Sequence, residues 1–341
     1  MPEAILPAFA LNYLNSLRLR NMSSFTIDTY TIELAHFFNF LCEHREDPDV
    51  FTELRDRQSN FAPLPSSPQD ITLDDFKKLT HWHIASYLAF TKEKNSLNPR
   101  TMAKKQAAIK SLYRYLFNKD LIEADISQKL DSISLPEEDV IAMEPEEVAT
   151  LVDIIEKANG QTKHQKEYTK YTQKRDLAII LSFLGSGLRL MELQRLDVED
   201  VDFSKNLFHI VGKRNKITIQ PFNDEAGMAI KQYLEEERPR LAQKSKDNAL
   251  FLSLQGKRLS RRAIQNIVEK YIKILESKGF AANKYTTHKL RATCATELLR
   301  VTGNLALVQD YMRHKDPKTT RKYAKITDEE LRRAAGLINF R

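Results

Sequence analysis

The chain has 341 residues, 42% hydrophobic and 29% charged, with a formal net charge of +7. That length suits two ordinary domains with separate cores, and no apolar run approaches the ~20 residues a membrane span needs. Two cysteines, eight histidines without HxxxH or Cys/His ligand spacing, and nine glycines without a phosphate-loop pattern point away from disulfides, zinc and nucleotide cofactors.

Helices are expected first. Residues 3–20 carry Ile5, Phe9, Leu11, Leu14 and Leu17 near helical spacing, and 25–42 repeat the pattern with Phe25, Tyr30, Leu34, Phe37, Phe38 and Leu41. The start of the chain lacks a basic leader and a small-residue cleavage site, so no secretion signal is expected and a cytoplasmic location is. The Pro/Ser/Asp-rich stretch 46–70 reads as a long loop. Helices resume at 72–79, 82–93 and 98–118, the last with an apolar stripe of Ile109, Leu112, Tyr113 and Leu116. Two prolines, several acids and no period make 131–145 a linker, so 1–130 is read as one helical domain.

The second domain, 146–326, is mixed. Helices are expected at 145–157, 174–184 and 189–196. The alternating runs FHIVG (208–212) and KITIQPF (216–222), broken by KRN, give a hairpin signal. Helices return at 223–238, 259–277, 287–301 and 304–312, and residues 327–341 form a tail with a short amphipathic helix over 327–338. Both cysteines, Cys42 and Cys294, lie in apolar helical patterns and read as buried reduced thiols. The fold class is mainly α with a small antiparallel sheet, in two domains.

Four segments of the second domain carry strong chemical groups: GSGLRLMELQRL (185–196), VGKRNKITI (211–219), THKLRATCATELL (287–299) and LVQDYMRHKDPKTTRKYAKI (307–326). Each alone reads as ordinary surface or packing. Together they suit attack on a phosphodiester. Two fixed arginines can hold the non-bridging oxygens bidentately. Histidines donate hydrogen bonds or exchange protons near neutral pH. A phenol with an ordinary pKa of about 10 needs such a cationic site to act as nucleophile, and a lysine can protonate the leaving oxygen.

In this order along the chain, the segments resemble the tyrosine recombinase/integrase family. GLRLME supplies Arg189 and Glu192, the hairpin Lys213, HKLR gives His288 and Arg291, and the last segment His314 and Tyr323. The intervals Arg189–Lys213 and His314–Tyr323 look like the family's, and the resemblance covers roughly 145–330. It implies that Tyr323 forms a 3′-phosphotyrosyl link, that Arg189 and Arg291 clamp the phosphate with His288 and His314 assisting, that Lys213 protonates the departing 5′-oxygen, and that Glu192 braces the site. Lys216 is the alternative acid. Tyr311, inside an apolar helix, reads as packing. Arg313 stands where the family usually has glycine, and Arg214, Lys289 and Ala292 are further departures.

The resemblance further implies a two-domain DNA clamp, double-stranded DNA with specific recombination sites as partner, a homotetramer on DNA, no cofactor, no metal and no membrane. The need for accessory proteins stays open, as does whether the tail packs on its own subunit or a neighbour. The early start of the helical domain leaves no room for an arm-binding domain, favouring simple Xer-like sites. Candidate DNA contacts are Arg100, Lys104, Lys105 and Lys110 on 98–118, and Arg258, Arg261 and Arg262 at the start of 259–277. The function expected is site-specific recombination; the alternatives are relaxation of DNA by a type IB topoisomerase and a non-cleaving DNA-binding protein of this fold.

Overall fold

A computed structural model describes residues 6–45, 64–136, 140–160, 167, 169–212, 217–243 and 247–313. Lys213, Arg214, Lys216, His314, Tyr323 and the 327–338 helix lie outside the described residues. The chain forms two compact units, Met1–Glu137 and Glu138–Arg341.

The first unit is all helical among its described residues: α1 (Ala8–Leu19), α2 (Ser24–Glu43), α3 (Leu73–Lys77), α4 (His81–Asn95) and α5 (Pro99–Phe117). Start signals in the sequence explain their origins. Ser23 accepts from Thr26 N at the head of α2, and Asn98 accepts from Thr101 N at the head of α5, where Pro99 fills the first helical position. Helix α2 packs on α1, α4 and α5. Its Phe37, Phe38 and Leu41 join Phe9, Tyr13, Leu14, Phe76, Ile109 and Leu112 in one core, with Phe76 and Tyr113 stacked at 4.6 Å between ring centroids.

The second unit contains α6 (Pro145–Glu156), α7 (Gln173–Ser186), α8 (Leu190–Arg195), β1 (Val201–Asp202), β2 (Leu207–Val211), β3 (Ile217–Pro221), α9 (Asp224–Gln232), α10 (Arg238–Ala242), α11 (Arg261–Ser277), α12 (Thr287–Thr302) and α13 (Leu305–Tyr311). The three strands make an antiparallel sheet in the order β1-β2-β3, with His209 opposite Ile219 and Val201 opposite Phe208. The fold is thus mainly helical with a small antiparallel sheet. β1 has no counterpart in the sequence reading, because a two-residue strand carries no period.

Helix α7 is the axis of this unit. Its run Leu177–Leu181 and Phe183 is buried on every side, against α6, α9 and α12. The expected helix over 223–238 is interrupted: Tyr233–Glu237 forms one wide π turn between α9 and α10. Glu237 uses that turn to accept hydrogen bonds from Lys174 N (2.8 Å) and Arg175 N (3.0 Å), satisfying the start of α7. One residue further on, buried Asp176 takes Arg175 at 2.7 Å and Lys270 of α11 at 2.8 Å. Burial alone would push Asp176 up, but the two cations outweigh it and hold the carboxyl below its usual range. Both cysteines are buried free thiols.

Candidate active site

The site begins where α7 stops. Gly187 adopts φ +61°, donates to Phe183 O at 2.9 Å and turns the chain out of the helix. Leu188 is buried, and Arg189 becomes the residue before α8. Glu192, three residues on, accepts from Arg189 N at 2.9 Å and from Arg189 Nη1 at 3.0 Å. The carboxylate therefore starts the helix and aims the guanidinium together. Arg189 keeps 42% of its side chain exposed, so its remaining donors can meet a ligand.

Helix α12 supplies His288 and Arg291, one turn apart on the same face. Arg291 is 4% exposed. Its Nη1 donates to Gly187 O and its Nη2 to Met312 O, so one buried guanidinium ties the turn before Arg189 to the end of the next segment. Partial burial, then the positive charges of Arg291, Lys289 and Arg189, lower the His288 pKa below the usual imidazole range. Its ring is neutral near pH 7 and can donate one hydrogen bond.

Helix α13 brings the third segment of the site. Asn304 caps it by accepting from Leu307 N at 3.1 Å. Tyr311 at its end donates through its hydroxyl to Gly185 O (2.9 Å) or Pro221 O (3.1 Å). In return, Gln220 Nε2 of β3 donates to Tyr311 O at 3.1 Å. These contacts join the hairpin, the end of α7 and the segment leading to residue 314. Tyr311 is a strut, as its place in an apolar helix implied.

Arg313 follows at φ +52°, the left-handed region where a side chain is uncommon. Its carbonyl accepts from Arg189 Nη2 at 3.3 Å, and its own Nη2 donates to Glu192 Oε2 at 2.6 Å. Burial lowers the Arg313 pKa, with Glu192 opposing that effect and Arg189 adding to it. Two arginines thus share one carboxylate, and Arg291 and His288 stand close to Arg189, leaving a net positive site fitted to an anion. Among the described residues, no group of three or more His, Cys, Asp or Glu side chains is placed to hold a metal ion.

Of the expected catalytic set, Arg189, His288 and Arg291 come together with Glu192, while Lys213, His314 and Tyr323 lie outside the described residues. Two contacts were absent from the sequence reading: Gln220 with Tyr311, and Arg313, expected to add charge near DNA, with Glu192. Arg313 had a signal in its departure from glycine; Gln220 had none.

The expected DNA contacts divide. Arg100 and Lys104 are exposed on α5, and Arg261 and Arg262 at the head of α11, where Arg262 pairs with Glu269 at 3.2 Å. Lys105 is a correction: it is buried, with Nζ 2.6 Å from Glu33 and 3.4 Å from the Tyr87 hydroxyl. Lys110 is half-buried and donates to Leu130 O at 3.1 Å. Arg258 is likewise turned inward, bonding Gln194 O at 3.2 Å, Leu196 O at 3.1 Å and the Asp197 carboxylate. These last three side chains hold loops and helices together rather than present a charged face.

Comparison with known proteins gives concordant results. Residues 142–330 match the phage integrase family model. Tyrosine recombinase XerC of Caldanaerobacter subterraneus subsp. tengcongensis is 32% identical over 330 residues, covering 95% of this chain and 84% of that protein. Tyrosine recombinase XerC of Pelotomaculum thermopropionicum is 30% identical, covering 94% of each. Among solved structures, the XerH site-specific recombinase bound to its difH substrate in a pre-cleavage complex aligns with TM-score 0.64 at 19% identity, over 93% of this chain and 81% of that one. A lambda integrase dimer bound to a COC′ core site aligns with TM-score 0.60 at 13% identity, over 93% of this chain and 76% of that one.

Proposed function

From the fact that this chain belongs to the phage integrase family, we propose that Tyr323 is the nucleophile with which it breaks DNA. The enzyme is a site-specific tyrosine recombinase, which cleaves and rejoins DNA strands. The observation that supports the assignment of residues is the meeting of Arg189 and Arg291, far apart in sequence, at the backbone of Met312 and Arg313, with His288 beside both arginines. Tyr323 lies ten residues beyond that anchor.

In this reading the Tyr323 oxygen attacks the scissile phosphorus as its phenol gives its proton to water. The new O–P bond forms as the bond to the 5′-oxygen breaks, and Lys213 gives that oxygen a proton. Arg189 and Arg291 hold the non-bridging oxygens, and His288 and His314 donate to them, stabilising the charge that develops. Glu192 fixes the Arg189 guanidinium. The phosphotyrosyl bond keeps the energy of the phosphodiester, so attack by the free 5′-hydroxyl of a second duplex reseals the strand without nucleotide hydrolysis. Recombination between two sites calls for four protomers on two duplexes, and a homotetramer is proposed on that ground.

The test is a covalent trap. Purified enzyme is incubated with fragmented genomic DNA and denatured, and protein-linked DNA is recovered and sequenced. The wild type yields adducts enriched in one sequence, and Tyr323→Phe yields none while still binding DNA. Adducts undiminished in Tyr323→Phe would remove Tyr323 from the mechanism. The recovered site, supplied on two distinguishable duplexes, is exchanged by a recombinase and only relaxed by a topoisomerase.

A further inference from the structure

Glu192 is shared. Its Oε1 takes Arg189 Nη1 at 3.0 Å, while its Oε2 takes Arg189 N at 2.9 Å and Arg313 Nη2 at 2.6 Å. The carboxylate is largely buried, with 18% of its side chain exposed. A buried carboxylate with one guanidinium partner holds that partner tightly, because losing it would strand an unpaired charge. A second guanidinium on the other oxygen changes this balance. Arg189 can then move its Nη1 from Glu192 to an incoming phosphate oxygen without stranding Glu192.

We propose that Arg313 is a positioning residue that stands as the second cation of Glu192 and so releases Arg189 to the scissile phosphate. This rests on the recombinase reading of the site. Three observations carry it. Arg313, at φ +52°, bonds both members of the pair: its guanidinium reaches Glu192 as its carbonyl receives Arg189 Nη2. Its Nε is buried and has no hydrogen-bond partner among the described residues, so the side chain is not held there by a full set of bonds of its own. Finally, Arg291 grips Met312 O next door, fixing the backbone from which Arg313 projects. Arg313 acts on the phosphate through Glu192 and Arg189, not by touching it.

The test uses the full-length enzyme and a duplex of the trapped site, nicked beside the scissile phosphate so that the covalent adduct accumulates. Arg313→Gly suits the backbone, since glycine favours a positive φ. It should slow single-turnover adduct formation by about 10- to 100-fold, the range that misplacing a catalytic group produces. Arg313→Lys keeps the charge and should retain most of the rate. The deciding comparison is Glu192→Gln, which preserves the cap on α8 and removes the negative charge. In that background Arg313→Gly should change the rate by no more than about twofold, a non-additivity that coupled residues show. An equal slowing by Arg313→Gly with and without the Glu192→Gln substitution would overturn the proposal, as would a wild-type rate in Arg313→Gly. Failure of the underlying reading is visible separately in the wild-type arm: no adduct there, or an adduct that survives Tyr323→Phe, sinks both.

Discussion

One buried imidazole makes the first unit sensitive to acid. His83 is buried at the start of α4, where its Nδ1 accepts from Thr80 N at 3.0 Å. Burial pushes its pKa from 6.5 down to about 4, with the Thr80 contact opposing only in part. The unfolded chain therefore binds a proton that the folded unit refuses. The contribution of His83 to stability is full above about pH 6.5 and falls as the pH drops toward 4, by about 3 kcal/mol at the limit. The protein's one tryptophan, Trp82, is the neighbouring residue, so its fluorescence reports urea unfolding at the right place. His83→Gln, which keeps an acceptor at that helix position, should flatten the loss between pH 6.5 and 4; an unchanged slope would move the titration elsewhere. Lys105 teaches a related lesson about what a sequence shows. Its residue type suggested a charged surface, yet it lies three residues after buried Met102 and four before buried Ile109, on the inward face by helical spacing. The period was legible, and residue type misled.

Among elements, the meeting of α7, α9 and α13 is the most exacting, and Gly185 makes it possible. Asn223 accepts from Ala226 N at 3.1 Å to start α9, while its own N–H donates to Gly185 O at 3.3 Å. A methyl group on Gly185 would run into the Asn223 side-chain amide and come within 3.2 Å of Ala226 Cβ. Two effects then oppose each other in Gly185→Ala. Helix propensity favours alanine by about 1 kcal/mol, whereas overpacking costs about 1–3 kcal/mol and a lost cap about 1 kcal/mol more. The crowding wins, and thermal unfolding of the variant should show a net loss of about 2 kcal/mol. A stabilised variant would mean that Asn223 moves aside at little cost. Most elements were legible because long helices announce themselves by period. What was not legible depends on partners remote in sequence: β1 exists because β2 receives it, and the π turn because Glu237 has a helix end to satisfy.

At the scale of the whole molecule, each unit has its own apolar core. Trp82 belongs to the first unit alone, while backbone circular dichroism reports helices of both. The two signals should therefore give non-coincident urea transitions, circular dichroism retaining a component after the fluorescence change is complete or beginning to change before it. Coincident curves at all pH values would mean that the units unfold as one. The candidate site was legible in outline because its groups recur in a fixed order: Arg189, His288 and Arg291 were named from the sequence and meet in space. Glu192's second partner was not legible, since a pairing across 121 positions, Arg313 to Glu192, leaves no local pattern.

The wide turn at Tyr233–Glu237 bears on how this chain can change in length. A π turn holds one residue more than α-helical geometry allows, so the stretches on either side run out of phase by about 100°. That slip lets Tyr233 face inward to accept Leu252 N–H at 3.1 Å while Glu237, four positions later, reaches the head of α7. Length is therefore part of what this segment encodes. A one-residue deletion here would rotate Glu237 away from α7 without touching the site itself. A homologue with a gap at 233–237 needs some other group at the head of the helix that ends in the Arg189 turn, and in an alignment that gap would mark a lineage that anchored its phosphate-binding turn by a different route.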